Sequence, residues 1–180
     1  MKKLLVVVDY QNDFVNGALG FEKAETLEEG IYNKIKSNLE DGNTVLFTYD
    51  THQKDYLNTR EGKNLPIEHC IEESDGHKLY GRLEEFNNVP NTLHYKKKSF
   101  GISPEDIIEI SNKIGDDIEE IEFVGVVTNI CVISNVVAFQ SKYVNADIVV
   151  DASLCASFID ELHESALNLM ESIHVKIINR

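Results

Sequence analysis

IEFVGVVTNICVISN, residues 121–135, changes character half way along: seven almost wholly apolar, largely β-branched residues give way to Thr128-Asn129, and apolar residues then return at helical spacing. A short run of the first kind reads as a strand buried on both faces, and the segment 130–143 behind the polar corner reads as a helix. A strand feeding a helix in this way is the repeating unit of a parallel α/β sheet. The unit recurs along the chain. LLVVV (4–8), TVLFTY (44–49), TLHY (92–95), ADIVV (146–150) and HVKII (174–178) are further strands, and 25–40, 104–114 and 159–172 carry helical spacing, as Leu27, Ile31, Ile35 and Leu39 do in the first of these. The expected fold is therefore a mostly parallel six-stranded sheet with helices on both faces, in one domain spanning 1–180.

Local chemistry marks the ends of these elements. Gly42 and Gly115 follow helical runs as C-terminal caps, and Ser103 with Pro104 suits the N-cap and first position of the helix carrying Ile107, Ile108 and Ile110. From Asp50 to about Arg82 the periodicity stops and His, Glu, Lys and Gly accumulate, which predicts a long irregular loop, a feature that usually serves function.

Composition narrows the function classes. With 31 acidic against 17 basic residues the net charge is -14, which repels phosphate backbones and anionic lipid and leaves no footprint for nucleic acid. The first apolar run meets Asp9 after five residues, too soon for a signal peptide or a membrane span, so a cytoplasmic protein is expected. Cys70, Cys131 and Cys155 stand too far apart for a disulfide framework or a CxxC metal site.

In open α/β sheets ligands bind beyond the carboxyl ends of the strands. There the chain places Asp9 after the first strand, Asp50 and His52 after the second, Lys96-Lys97-Lys98 after the third, and Cys131 after the fourth. A thiol near its reference pKa needs a base and a nearby cation to act as a nucleophile, and a carboxylate and an ammonium on one rim would provide both. At a helix start, Cys131 would also gain from free N–H groups able to hold an oxyanion.

VVDYQNDF (7–14), YKKKSFG (95–101) and GVVTNICV (125–132) together resemble the three signatures of the isochorismatase-like cysteine hydrolases, the superfamily of nicotinamidases, N-carbamoylsarcosine amidases and isochorismatases. The resemblance covers nearly the whole chain and implies a catalytic triad of Asp9, Lys97 and Cys131. It also implies a cis peptide between Val126 and Val127 that helps aim N–H groups near Cys131 at the oxyanion. Asp50 and His52 in YDTH, Glu61 in TREGKNLP and His69 in EHC resemble the nicotinamidase metal loop. That implies a divalent ion, with mixed nitrogen and oxygen ligands favouring Zn, Mn or Fe over Ca or Mg. In nicotinamidases the ion takes the pyridine nitrogen of the substrate and leaves the carboxamide beside the cysteine. The chain departs from that pattern at Thr51, where a tryptophan is usual, at IEH in place of PPH, and at Thr-Asn in place of Thr-Asp.

The function implied is a metal-assisted cysteine amidohydrolase converting a small carboxamide, nicotinamide first, through a thioester. Another amide or ureido hydrolase, an isochorismatase-like activity and a catalytically idle binding subunit are the alternatives. Phe14 and Phe100, inside the motifs, are candidate pocket walls; Cys70, Cys155, His77, His94, His163 and His174 read as structural. A homo-oligomer acting on a small amide, without nucleic acid or membrane partners, completes the expectation.

Overall fold

The apolar runs find their hydrogen bonds in one another. In the computed structural model, which describes residues 2–180, β1 (Lys3–Val8), β2 (Thr44–Asp50), β3 (Thr92–Lys97), β4 (Glu120–Val126), β5 (Asp147–Ala156) and β6 (Lys176–Ile178) form one sheet in the order β3-β2-β1-β4-β5-β6. Every pairing is parallel. Leu4, Val6 and Val8 face one core and Leu5 and Val7 the other, so β1 is apolar on both sides because it is covered on both.

The first core is closed by residues of α5 (Pro104–Ile114), α6 (Ile133–Lys142) and α7 (Asp160–Ser172). The second is closed by Ile31 and Ile35 of α3 (Glu28–Glu40) and by parts of α1 (Asn12–Val15) and α2 (Glu22–Glu25). Each fully buried isoleucine contributes about 1.5–3 kcal/mol relative to exposure, which a polar residue at the same helical spacing would forfeit. The caps behave as their chemistry requires: Ser103 accepts from Asp106 N at the start of α5, and Gly115 ends it at φ 86°.

The order of the sheet reverses between β1 and β4, and the chains leaving those strands part to opposite faces, which opens a crevice at their carboxyl ends. Just before it the two strands come very close. Gly125 sits at φ 114°, and a Cβ there would collide with the backbone of Val8, so only glycine satisfies both the dihedral and the approach.

Several boundaries differ from the sequence expectation. The helix expected over 25–40 is broken into α2 and α3, with the Thr26 hydroxyl donating to Lys23 O at the break. The helix expected from 130 is preceded by a π-helical turn, Thr128–Val132, which contains Cys131. β5 runs on to Ala156 past the apolar ADIVV, around a register shift against Phe123 and Gly125, while β6 starts only at Lys176 because His174 turns at φ 70°. The long loop holds α4 (Arg60–Asn64) and short 3-10 turns.

Candidate active site

β1 delivers Asp9 to the crevice at φ 47°, a left-handed conformation that aspartate tolerates better than most residues. Its carboxylate is wholly buried and accepts from the Thr48 hydroxyl at 2.7 Å through Oδ1. Oδ2 accepts no well-directed hydrogen bond, although Lys97 Nζ lies 2.6 Å from it. The two side chains form a buried ion pair.

Strand alternation sorts the three lysines of β3 and its end. Lys96 and Lys98 are exposed, and Lys96 pairs with Glu72 at 2.7 Å, whereas Lys97 is 2 % exposed and turns inward. Its ammonium donates to Ser99 O at 3.0 Å and lies 3.8 Å from Cys131 Sγ and 3.9 Å from Asp50 Oδ1. Asp9, Lys97 and Cys131 thus meet around one buried ammonium.

Burial disfavours each charge here, and the neighbours decide the outcome. Burial raises the Asp9 carboxyl above the ordinary carboxylate range, with the Lys97 charge pulling the other way. Burial alone would lower Lys97, but Asp9, Cys131 and Asp50 outweigh it and keep the ammonium charged. Burial likewise pushes the Cys131 thiol well above its ordinary value, against the pull of Lys97. Burial thus favours the neutral forms of both the Asp9 carboxyl and the Cys131 thiol, and the Lys97 charge opposes it at each. The Val126–Val127 peptide is cis, directly before the turn carrying Cys131.

The irregular loop folds back on this centre. Asp50 Oδ2 lies 3.0 Å from His52 Nε2 and 3.3 Å from His69 Nε2, and Glu61 Oε1 stands 3.7 Å and 3.9 Å from the same nitrogens. All four ligand atoms lie within 4.8 Å of one another. His69 Nδ1 donates to Ile67 O at 2.8 Å, which turns Nε2 toward the cluster. Burial raises the Asp50 carboxyl, but hydrogen bonds from His52 and His69 outweigh it and hold Asp50 ionised. Two imidazoles and two carboxylates converging in this way fit a divalent transition metal.

A pocket of about 480 Å3 opens over the cluster, walled by Thr51, His52, Arg60, Glu61, Lys98 and Phe100 among others. Phe100 is thus a wall. Phe14 is buried and packs edge-on against His69 with ring centroids 5.5 Å apart. Asp9, Lys97 and Cys131 are buried and do not line this pocket.

The isochorismatase domain family matches residues 3–180. The isochorismatase family protein PncA of Bacillus subtilis is 31% identical over 175 residues, covering 93% of each chain. The chain belongs to the isochorismatase family. A crystal structure of the nicotinamidase/pyrazinamidase PncA from Bacillus subtilis superposes with a TM-score of 0.87 at 31% identity, covering 98% of this chain and 99% of that one. The pyrazinamidase/nicotinamidase of Streptococcus mutans gives 0.84 at 27% identity, over 98% and 100%. The pyrazinamidase of Pyrococcus horikoshii, solved in complex with zinc, shares the fold at 0.85 and 21% identity, over 100% of both chains. This isochorismatase-family chain is an amide-hydrolysing enzyme of the nicotinamidase-like branch.

The family motifs also contain groups whose work the sequence did not disclose. Gln11, fully buried, donates to Asp50 O at 3.0 Å and His77 O at 2.8 Å and accepts from Asp50 N at 2.8 Å, fixing the strand end that carries Asp50. Asp13 accepts from Cys70 N at 2.7 Å and so pins the residue after His69. Thr48 orients Asp9. Polar residues within apolar or motif positions were the available signal, but their partners lie 39 to 66 residues away. His77 and His163 are likewise partnered, with Thr51 at 2.8 Å and Thr128 at 2.9 Å. Among the described residues no helix is long and apolar enough to cross a membrane.

Proposed function

We propose that the enzyme hydrolyses nicotinamide to nicotinate and ammonia by cysteine catalysis, in the cytosol and as an assembly of identical subunits. The observation that carries the reading is the Lys97 ammonium, 2.6 Å from the Asp9 carboxylate and 3.8 Å from the Cys131 sulfur, beside a cluster suited to a metal. It matches the activity for which the Bacillus subtilis and Streptococcus mutans relatives are named.

The chemistry follows from the resting charges. Asp9 takes the thiol proton as Cys131 sulfur attacks the amide carbon, and the carbonyl electron pair moves onto oxygen, where backbone N–H groups around the turn after Val127 hold the oxyanion. When the oxyanion collapses the C–N bond breaks, Asp9 returns the proton to nitrogen, ammonia leaves, and an acyl thioester remains on Cys131. Water, giving a proton to Asp9, then attacks the thioester, and the sulfur departs and is reprotonated to free the acid. Lys97 keeps the carboxylate ionised between proton transfers and offsets charge on sulfur. Phe100 supplies an apolar wall. A divalent ion held by Asp50, His52, Glu61 and His69, zinc in this reading with Mn or Fe as alternatives, supplies a Lewis-acidic position for a ring nitrogen.

Ammonia release measured over nicotinamide, other carboxamides, ureas and carbamoyl compounds, with and without chelator, tests the substrate. Turnover confined to ureido or carbamoyl compounds would replace nicotinamide. For the loop, purified enzyme is expected to carry stoichiometric divalent metal by elemental analysis, and His52→Ala is expected to lose it while retaining its circular dichroism. An active enzyme that contains no metal and ignores chelator would remove the ion from the reading.

A further inference from the structure

The loop that follows Lys97 carries two parts of the site, Ser99 O on the ammonium and Phe100 in the pocket wall, yet it has little backbone support. Among the described residues, no N–H of Ser99, Phe100 or Gly101 donates a hydrogen bond to the protein. One side chain supplies what is missing. Asn135, 0 % exposed on the first turn of α6, accepts from Ile102 N at 3.0 Å and donates to Phe100 O at 3.2 Å. The same amide donates to Cys131 O at 2.8 Å. The loop is seated closely on α6, since a Cβ at Gly101 would stand 3.1 Å from Ser134 O. One buried amide thus bonds both the loop behind the ammonium and the residue bearing the nucleophile.

We infer that Asn135 is a positioning residue that sets the separation of Lys97 and Cys131 by clamping the Ser99–Ile102 loop to the Cys131 turn. The inference rests on Cys131 being the nucleophile and Lys97 its cationic partner. Asn135 touches neither reacting atom and acts through backbone carbonyls. Without its amide, Phe100 O and Cys131 O lose a shared donor, the loop loses its polar anchor, and Ser99 O no longer fixes the ammonium. Displacements of about 1 Å in such a frame cost on the order of 100-fold in rate.

The test compares the parent enzyme with Asn135→Ala and Asn135→Ser, and with Ser141→Ala as a control. Ser141 makes only a local bond to Val137 O on the exposed side of α6. Three quantities are read: the unfolding midpoint, kcat and KM for amide hydrolysis, and the rate of iodoacetamide labelling of Cys131 at one fixed pH. In folded Asn135→Ala, kcat is expected to fall about 100-fold, KM to change only several-fold, and Cys131 labelling to slow in parallel; Ser141→Ala is expected to match the parent. If Asn135→Ala does not fold, Asn135→Ser, with a smaller polar group, gives the same comparison. A lower unfolding midpoint with kcat and labelling rate unchanged would overturn the inference and leave Asn135 a structural residue. Labelling requires no substrate, so a parent that turns over no amide would sink the proposed reaction while the clamp is still judged by the labelling rate.

Discussion

Cys131→Ala is expected to fold like the parent and to release no measurable ammonia. Cys131 is 4 % exposed and packed in the core with residues of α5 and α6, and losing one heavy atom there costs about 1 kcal/mol. A domain has about 5–15 kcal/mol to lose. Catalysis has no such margin, since removing the nucleophile of a hydrolase costs on the order of 10⁶-fold. In the parent, iodoacetamide should label Cys131 before Cys70 and Cys155. All three thiols are buried and raised, but only Cys131 has an ammonium within 3.8 Å to receive a thiolate. Full activity after exclusive labelling of Cys155 would disprove the assignment.

Lys97→Ala should lower kcat by about 10²–10³-fold, the scale for loss of a preorganised charge stabiliser. Its removal leaves Asp9 buried without a counter-charge, beside Asp50, so the Asp9 carboxyl rises further, holds its proton at neutral pH and can no longer accept one from the thiol. Breaking a buried pair also costs about 3–5 kcal/mol, so Lys97→Met, which keeps the volume, should accompany it and unfolding should be measured for both. Lys96→Ala loses only an exposed pair with Glu72, and Lys98→Ala only a group at the pocket wall. Each should change turnover several-fold at most. A dead Lys98→Ala beside a nearly normal Lys97→Ala would move the cationic role by one residue.

Local sequence signals reached far in this chain because its sheet is covered on both faces, so the strands announce themselves as unbroken β-branched runs and their carboxyl ends as sudden polarity. Asp9, Asp50, Lys97 and the turn at Cys131 could be placed on one rim for that reason. β5 escaped past Val150 because Asp151 and Ser153 interrupt its apolar run while Asp151 is buried against Lys34 at 2.7 Å, a partner 117 residues away. The shape of the loop from Asp50 onward was illegible for a related reason. Its turns are held by Gln11, Asn12 and Asp13, and its apolar residues do not repeat with any period. Thr48 and Asn135 were visible as polar residues, but only the fold shows that one orients a carboxylate and the other joins a loop to a helix.

The burial of Lys97 against Asp9, with side chains 1 % and 0 % exposed, bears on how the enzyme meets its solution. Counterions gather over about 8–10 Å around exposed charges at ordinary ionic strength, and they weaken buried pairs much less. A surface of net charge -14 responds to added salt, so pairs such as Lys23–Asp160 or Lys2–Asp117 dissolve into the ionic atmosphere. The central pair does not share that fate: potassium chloride should alter solubility and encounters between molecules long before it alters the turnover of bound substrate.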